Sequence, residues 1–182
     1  MSEDAAVEAL TEQLFSVPDA DVFAVLDGAS VPELRQMLWK HQPEYYCLFP
    51  GELEPDMAEV APYVVKLDKG SPFARWVLAE GWGKHWGVFA ASRAGLRQMR
   101  GHFRSLIDVY DADGSPLIFR YYDPRVMRQF LSTCQPGQLA EMFGEVICYC
   151  LEQEDPDTML RYQLGPSGLN TREITLRPGK SA

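Results

Sequence analysis

Four arginines, Arg93, Arg97, Arg100 and Arg104, recur at spacings of four, three and four along SRAGLRQMRGHFR. At about 100° per helical residue they project within one narrow sector, beside the apolar stripe of Leu96, Met99, Phe103 and Leu106 rather than within it. A planar guanidinium fork matches a carboxylate through two parallel hydrogen bonds. Such a face can therefore pair with the chain's own carboxylates or dock an acidic segment of another protein. Nucleic acid ranks third, because a formal net charge of −9 repels polyanions, and the same charge argues against an anionic membrane surface.

A second concentration of charge and aromatics is FRYYDPRVM, residues 119–127, with two arginines, two tyrosines and an aspartate. Read as a strand through 117–122, it places Leu117, Phe119 and Tyr121 on one face and Ile118, Arg120 and Tyr122 on the other. Asp123 then stands at a helix N-cap and Pro124 in the first turn, where its missing donor costs nothing. The pair is first of all a strand-to-helix switch. A half-buried Arg120 needs an acidic or carbonyl partner, and Asp27 and Asp123 are both candidates.

Other residues with reactive side chains are scattered. His41, His85 and His102 have neither H-x-x-x-H spacing nor a cysteine at zinc-finger distance, so no metal is expected. Cys148 and Cys150 share one face of a strand and read as core thiols; with Cys47 and Cys134 they lack disulfide-framework spacing. A Cys–His nucleophile drawn from Cys134 or Cys47 with His85 stays open, without a motif around either cysteine. There is no G-x-S-x-G elbow, Walker loop or G-x-G-x-x-G fingerprint, and GWGKHWG has the wrong glycine spacing for a phosphate cradle. No cofactor is expected. An enzymatic alternative is a small hydrolase or transferase with a motif-free polar site of Arg120, Asp123 and His85. Trp82 and Trp86, with Tyr45, Tyr46, Tyr121 and Tyr122, are candidate aromatic anchors for a partner.

The elements that would position these residues alternate along the chain. Val7, Leu10 and Leu14 predict a docking helix, and DVFAVLDGA a strand over 22–26 closing in an Asp27–Gly28 turn. Ser30 and Glu33 form the S-x-x-E pattern of a capping box before a helix with Leu34, Met37 and Leu38 on one face. Strands follow at 45–49 and 63–67, separated by the turn-rich GELEPDMAEVAP. Ser71 and Pro72 start a short helix, and HWGVFAAS reads as a strand covered on both faces. Ser92 is placed to cap the arginine helix, and Asp113-Gly114 breaks two strands. Two short helices, PRVMRQFLSTC and PGQLAEMFG, precede strands in EVICYCLE, TMLRYQL and REITL, while GPSGLN and RPGKSA read as loose. The fold class is α/β (α+β): one domain with a mixed β-sheet flanked by helices.

At 182 residues, 46% hydrophobic and 24% charged, the chain has ordinary globular composition and room for one core. An acidic N-terminus unlike a signal peptide, and no apolar run near the ~18 residues of a membrane span, point to a cytoplasmic protein. A third possible role, an oligomeric building block, would require a large apolar self-interface.

The ordered set VLDGA (25–29), LFPG (48–51), APYVVKL (61–67), WGVFAAS (86–92), FRYYDPRV (119–126) and QLAEMFG (138–144) resembles the type VI secretion effector adaptors. These are the Tap or TEC chaperones, first catalogued as a domain of unknown function. The resemblance covers residues 22 to about 150, and FRYYDPRV after WGVFAAS is its most specific part. It implies a non-enzymatic bacterial adaptor that binds a toxic effector protein in the cytoplasm and loads it onto the VgrG spike protein. Asp27, Arg120, Tyr122, Asp123, Pro124 and Arg125 match the family's characteristic positions. On this reading residues 1–21 are an N-terminal helical segment, 22–164 the adaptor domain, and 165–182 a C-terminal strand and tail.

Overall fold

Residues 22–26 and 88–91 are apolar at successive positions, and both runs lie in central strands of one sheet with every one of these side chains buried. The computed structural model describes residues 3–110 and 112–176. In chain order the elements begin α1 (Glu3–Leu14), β1 (Asp21–Asp27), α2 (Leu34–His41), β2 (Tyr45–Cys47), α3 (Pro55–Val60), β3 (Pro62–Leu67), α4 (Pro72–Gly81) and β4 (Gly87–Ser92). They continue α5 (Leu96–Ser105), β5 (Asp108–Tyr110), β6 (Pro116–Ile118), α6 (Pro124–Thr133), α7 (Pro136–Phe143), β7 (Val146–Glu152), β8 (Thr158–Gly165) and β9 (Gly168–Thr175).

Seven of the described strands form one sheet in the order β2-β3-β1-β4-β7-β8-β9, with every neighbouring pair antiparallel. The period-2 alternation of strand side chains divides the core in two. On β1, Val22, Ala24 and Leu26 pack with α1, α2 and α4, while Phe23 and Val25 pack with α5, α6 and α7. The result is the expected α/β domain, a sheet with helices on both faces. Among the described residues no helix is long and apolar enough to cross a membrane.

The N-terminal segment belongs to this core: Val7, Leu10 and Leu14 are buried, and Asp4 pairs with Arg75 of α4 at 2.9 Å. The C-terminal strand expected from REITL is longer, running as β9 from Gly168. GPSGLN, expected to be loose, is the β8–β9 turn and the start of β9. RPGKSA lies outside the described residues. The turn-rich stretch before β3 contains α3, a helix with no buried residue, started by a proline at its first turn.

Three local expectations are overturned. The Ser30–Glu33 capping box does not form: Ser30 Oγ donates to Asp27 Oδ2 at 2.8 Å, and Glu33 enters α2 at φ 58° without a side-chain cap. Ser92 does not cap α5, which starts after Gly95; as the last residue of β4 it donates to Glu145 O at 2.8 Å and accepts from Ala94 N. The strand over 117–122 stops at Ile118, inside a separate β5–β6 ribbon. Tyr121 and Tyr122 are then both buried, which a flat strand with opposite faces does not require. Asp123 and Pro124 do start α6: Asp123 Oδ1 accepts from Arg125 N at 2.9 Å.

Candidate functional site

The family-motif residues assemble around the end of β1. Asp27, 1% exposed, accepts from Ala29 N at 3.0 Å, from Ser30 Oγ, and from Arg120 Nη2, so of the two candidate partners for Arg120 it is Asp27 that holds the guanidinium. A buried carboxylate persists only where such donors replace water. The hydrogen bond and charge of Asp27 in turn hold Arg120 above its ordinary pKa. Gly28 follows because the backbone passes too close for a side chain: a Cβ there would lie 2.4 Å from Ala61 O. Tyr122 is buried beside Arg120, and Tyr121 OH donates to Phe103 O at 2.8 Å. Arg125 folds back on Asp123 through Nε at 3.0 Å and Nη2 at 2.7 Å. Burial pushes the Asp123 carboxyl up, but the side-chain and backbone hydrogen bonds and the charge of Arg125 outweigh it and leave it below the usual range. Pro124 is buried in the first turn of α6. Charge meets charge throughout this corner, and its evident work is to join β1 to α6.

A residue that sequence reasoning missed extends the corner. Glu152, at the end of β7 and 3% exposed, accepts from Gly83 N at 2.7 Å, His85 N at 2.9 Å and His85 Nδ1 at 2.5 Å. Gly83 and His85 lie at φ 82° and 61°, so one carboxylate stabilises a left-handed loop between α4 and β4. The glycines of GWGKHWG signalled this tight loop, but nothing local pointed to its anchor 67 residues away. Of the proposed enzymatic trio, His85 is thus engaged by Glu152, Arg120 by Asp27 and Asp123 by Arg125. A cavity of about 630 Å³ reaches His85, Arg125, Arg128, Gln129 and Glu154, and is not lined by Arg120 or Asp123. Burial raises the Cys47 and Cys134 thiols, and the side chain of His85 bonds to neither. Cys148 and Cys150 lie buried side by side, and the hydrogen bond between them lowers the pKa of Cys148 and raises that of Cys150.

Two of the proposed anchors need correcting. Trp86 is 7% exposed, with its ring 5.0 Å from that of Trp76 and pressed on Gly81, where a Cβ would meet it at 2.5 Å. Trp82 is partly buried against Phe89 and donates Nε1 to Pro156 O at 2.7 Å. Both pack at the α4–β4 loop, Trp86 buried and Trp82 half-buried. Tyr121 and Tyr122 are likewise core, whereas Tyr45 and Tyr46 are exposed, and Trp39, at 78%, is an exposed tryptophan that no pattern singled out.

The arginine helix is different. Arg97, Arg100 and Arg104 lie on α5, whose Leu96, Met99 and Phe103 are buried on the other side. Arg93 precedes the helix and donates to Pro18 O at 3.3 Å, so the stripe is three residues long rather than four. Among the described residues none of these four arginines makes an ion pair. The nearby Glu145 carboxylate accepts instead from Gln98 at 2.7 Å. Arg100 lies 4.8 Å over the Tyr46 ring, a cation–π contact, and its buried Nε has no acceptor. A face of unanswered guanidiniums beside the exposed Tyr46 can bind carboxylates and aromatic or apolar groups together.

A family model described as a domain of unknown function (DUF4123) matches residues 22–141, from β1 into α7. No curated protein and no solved structure matches the chain.

Proposed function

Since the chain belongs to the DUF4123 family over more than half of its length, we propose that it is an adaptor of the kind its motifs resemble. It binds a toxic effector in the bacterial cytoplasm and delivers it to the VgrG spike for type VI secretion. It works by recognition and shielding, without bond chemistry or a cofactor. The observation that carries the reading is the open arginine face of α5. In a chain with 26 acidic and 17 basic residues, internal partners abound, and yet Arg97, Arg100 and Arg104 pair with none among the described residues. Forks left open in an acidic protein support a role in holding carboxylates from outside, where they steer encounter and fix register.

The test is co-purification of the full-length chain with the toxin and VgrG encoded beside its gene. Wild type is expected to retain both. Arg97→Glu with Arg100→Glu is expected to lose one of them, and unchanged capture of both by this variant would remove the arginine face from the proposal.

A further inference from the structure

Where the arginine face meets the sheet, the sheet ends. β2 pairs with β3 on one side only. The bonds from Lys66 N to Glu44 O and from Leu48 N to Pro62 O, each 2.9 Å, set the phase of that ladder. Residues 44, 46 and 48 turn their backbone groups toward β3, so antiparallel alternation turns the N–H and C=O of Tyr45 and Cys47 outward. The same alternation aims the Tyr46 side chain at the α5 side, under Arg100, and the Tyr45 side chain at the opposite side, by Tyr63. A cavity of about 300 Å³ opens here between Tyr45, Tyr46 and Leu96, the residue before Arg97.

We infer that this edge receives an extended acidic segment of the effector as an added strand. Its backbone bonds to Tyr45 and Cys47, and its carboxylates on the α5 side bond to Arg97 and Arg100. The inference rests on the adaptor reading and specifies the mode of contact. Strand addition supplies affinity through main-chain bonds and specificity through alternate side chains. Here the alternate positions facing α5 meet guanidiniums, one of them with a buried Nε that lacks an acceptor. Charge selects this occupant over a second copy of the chain, because pairing β2 with itself would set the same arginines near one another. The far edge of the sheet is blunted by its own mixed charges, Arg172 and Glu173 on β9. Glu44, on the cavity rim, lies in the field of Lys66, which offsets its repulsion of an acidic strand.

Amide hydrogen exchange on the full-length chain, free and in complex with the toxin encoded beside its gene, is the direct test. The amides of Tyr45 and Cys47 are expected to slow at least about tenfold in the complex. Cys47→Pro removes the outward donor and is expected to cut capture about tenfold or more, while Cys47→Ala, which removes the same side chain and keeps the donor, changes it less than about twofold. A complex whose Tyr45 and Cys47 amides exchange as in the free chain, or Cys47→Pro capturing as Cys47→Ala does, overturns strand addition and leaves the adaptor reading standing. Undiminished protection of the two amides when Arg97→Glu and Arg100→Glu are combined overturns the acidic character of the strand. Failure of the wild-type chain to bind the toxin at all removes the adaptor reading and this inference with it.

Discussion

Arg120 and Arg125 share their chemistry with Arg97, Arg100 and Arg104, but the two groups have opposite surroundings. The first two each grip a buried aspartate: Arg120 ties the segment before α6 to Asp27 at the end of β1, and Arg125 closes on Asp123 at the start of α6 itself. The second three stand on a helix whose buried side is entirely apolar, with no carboxylate answering them among the described residues. The FRYYDPR stretch has the more unusual composition, yet its charges are satisfied within the fold. The α5 stripe looks like an ordinary solvated helix face, and it is the one with bonding capacity to spare. An arginine's availability to a partner is thus decided by whether a carboxylate already holds it, not by how unusual its neighbours in sequence are.

Stability and binding should separate these regions. The largest effect is expected from Asp27→Ala, which strips Arg120 and Ser30 of their buried partner; urea unfolding should show a loss of about 3 kcal/mol. A loss under about 0.5 kcal/mol would place the motif corner with the surface rather than the scaffold. Next, combining Arg97→Glu with Arg100→Glu should leave unfolding within about 0.5 kcal/mol of wild type while effector capture falls about tenfold, or about 1.4 kcal/mol. Destabilisation comparable to Asp27→Ala would erase the contrast. Tyr121→Phe leaves the Phe103 carbonyl without its buried donor and should lower stability by about 1 kcal/mol, with capture unaffected.

The smallest effect is a pH dependence. Because the folded state holds the Asp123 carboxyl below its ordinary pKa of 3.8, the unfolded chain binds more protons there as the solution is acidified. Its contribution is complete above that pH and is lost as pH falls through the lower folded value. Subtracting the stability-versus-pH curve of Asp123→Asn from that of wild type should reveal a difference below about 1 kcal/mol that is flat above about that pH and shrinks only on the acid limb. A difference that grows toward neutral pH would contradict this assignment.

What could be read in advance was local or periodic. Ser71 caps α4 and Asp123 caps α6 because their partners are two or three residues away. The α5 stripe followed from the 3.6-residue period alone, β1 from an apolar run closing in the Asp27-Gly28 turn, and β4 from a run too apolar for a one-faced strand. Misreadings came where another group outbid the expected one, near in sequence at Ser30 and distant at Ser92. Asp27 engaged Ser30 before Glu33 could share a capping box with it, and pairing with β7 kept Ser92 in the sheet. Trp86 and Trp39 are equally hydrophobic in sequence, yet Trp86 is buried against Trp76 and Gly81 while Trp39 is exposed. Of the candidate site, the arginine stripe was legible. The Glu152 clamp and the open edge of β2 were not, because both depend on which strands become neighbours.

β7 lies outside the segment that the family model matches, but it is knitted to β4 in the middle of the sheet. A fragment cut at residue 141 would bare the flank of β4 and uncover both halves of the interior, losing Cys148, Cys150 and Met159 from one and Tyr149, Leu151 and Leu160 from the other. The limits of recognisable kinship and of independent folding therefore differ in this protein. Expression designs that respect only the first should give an insoluble product.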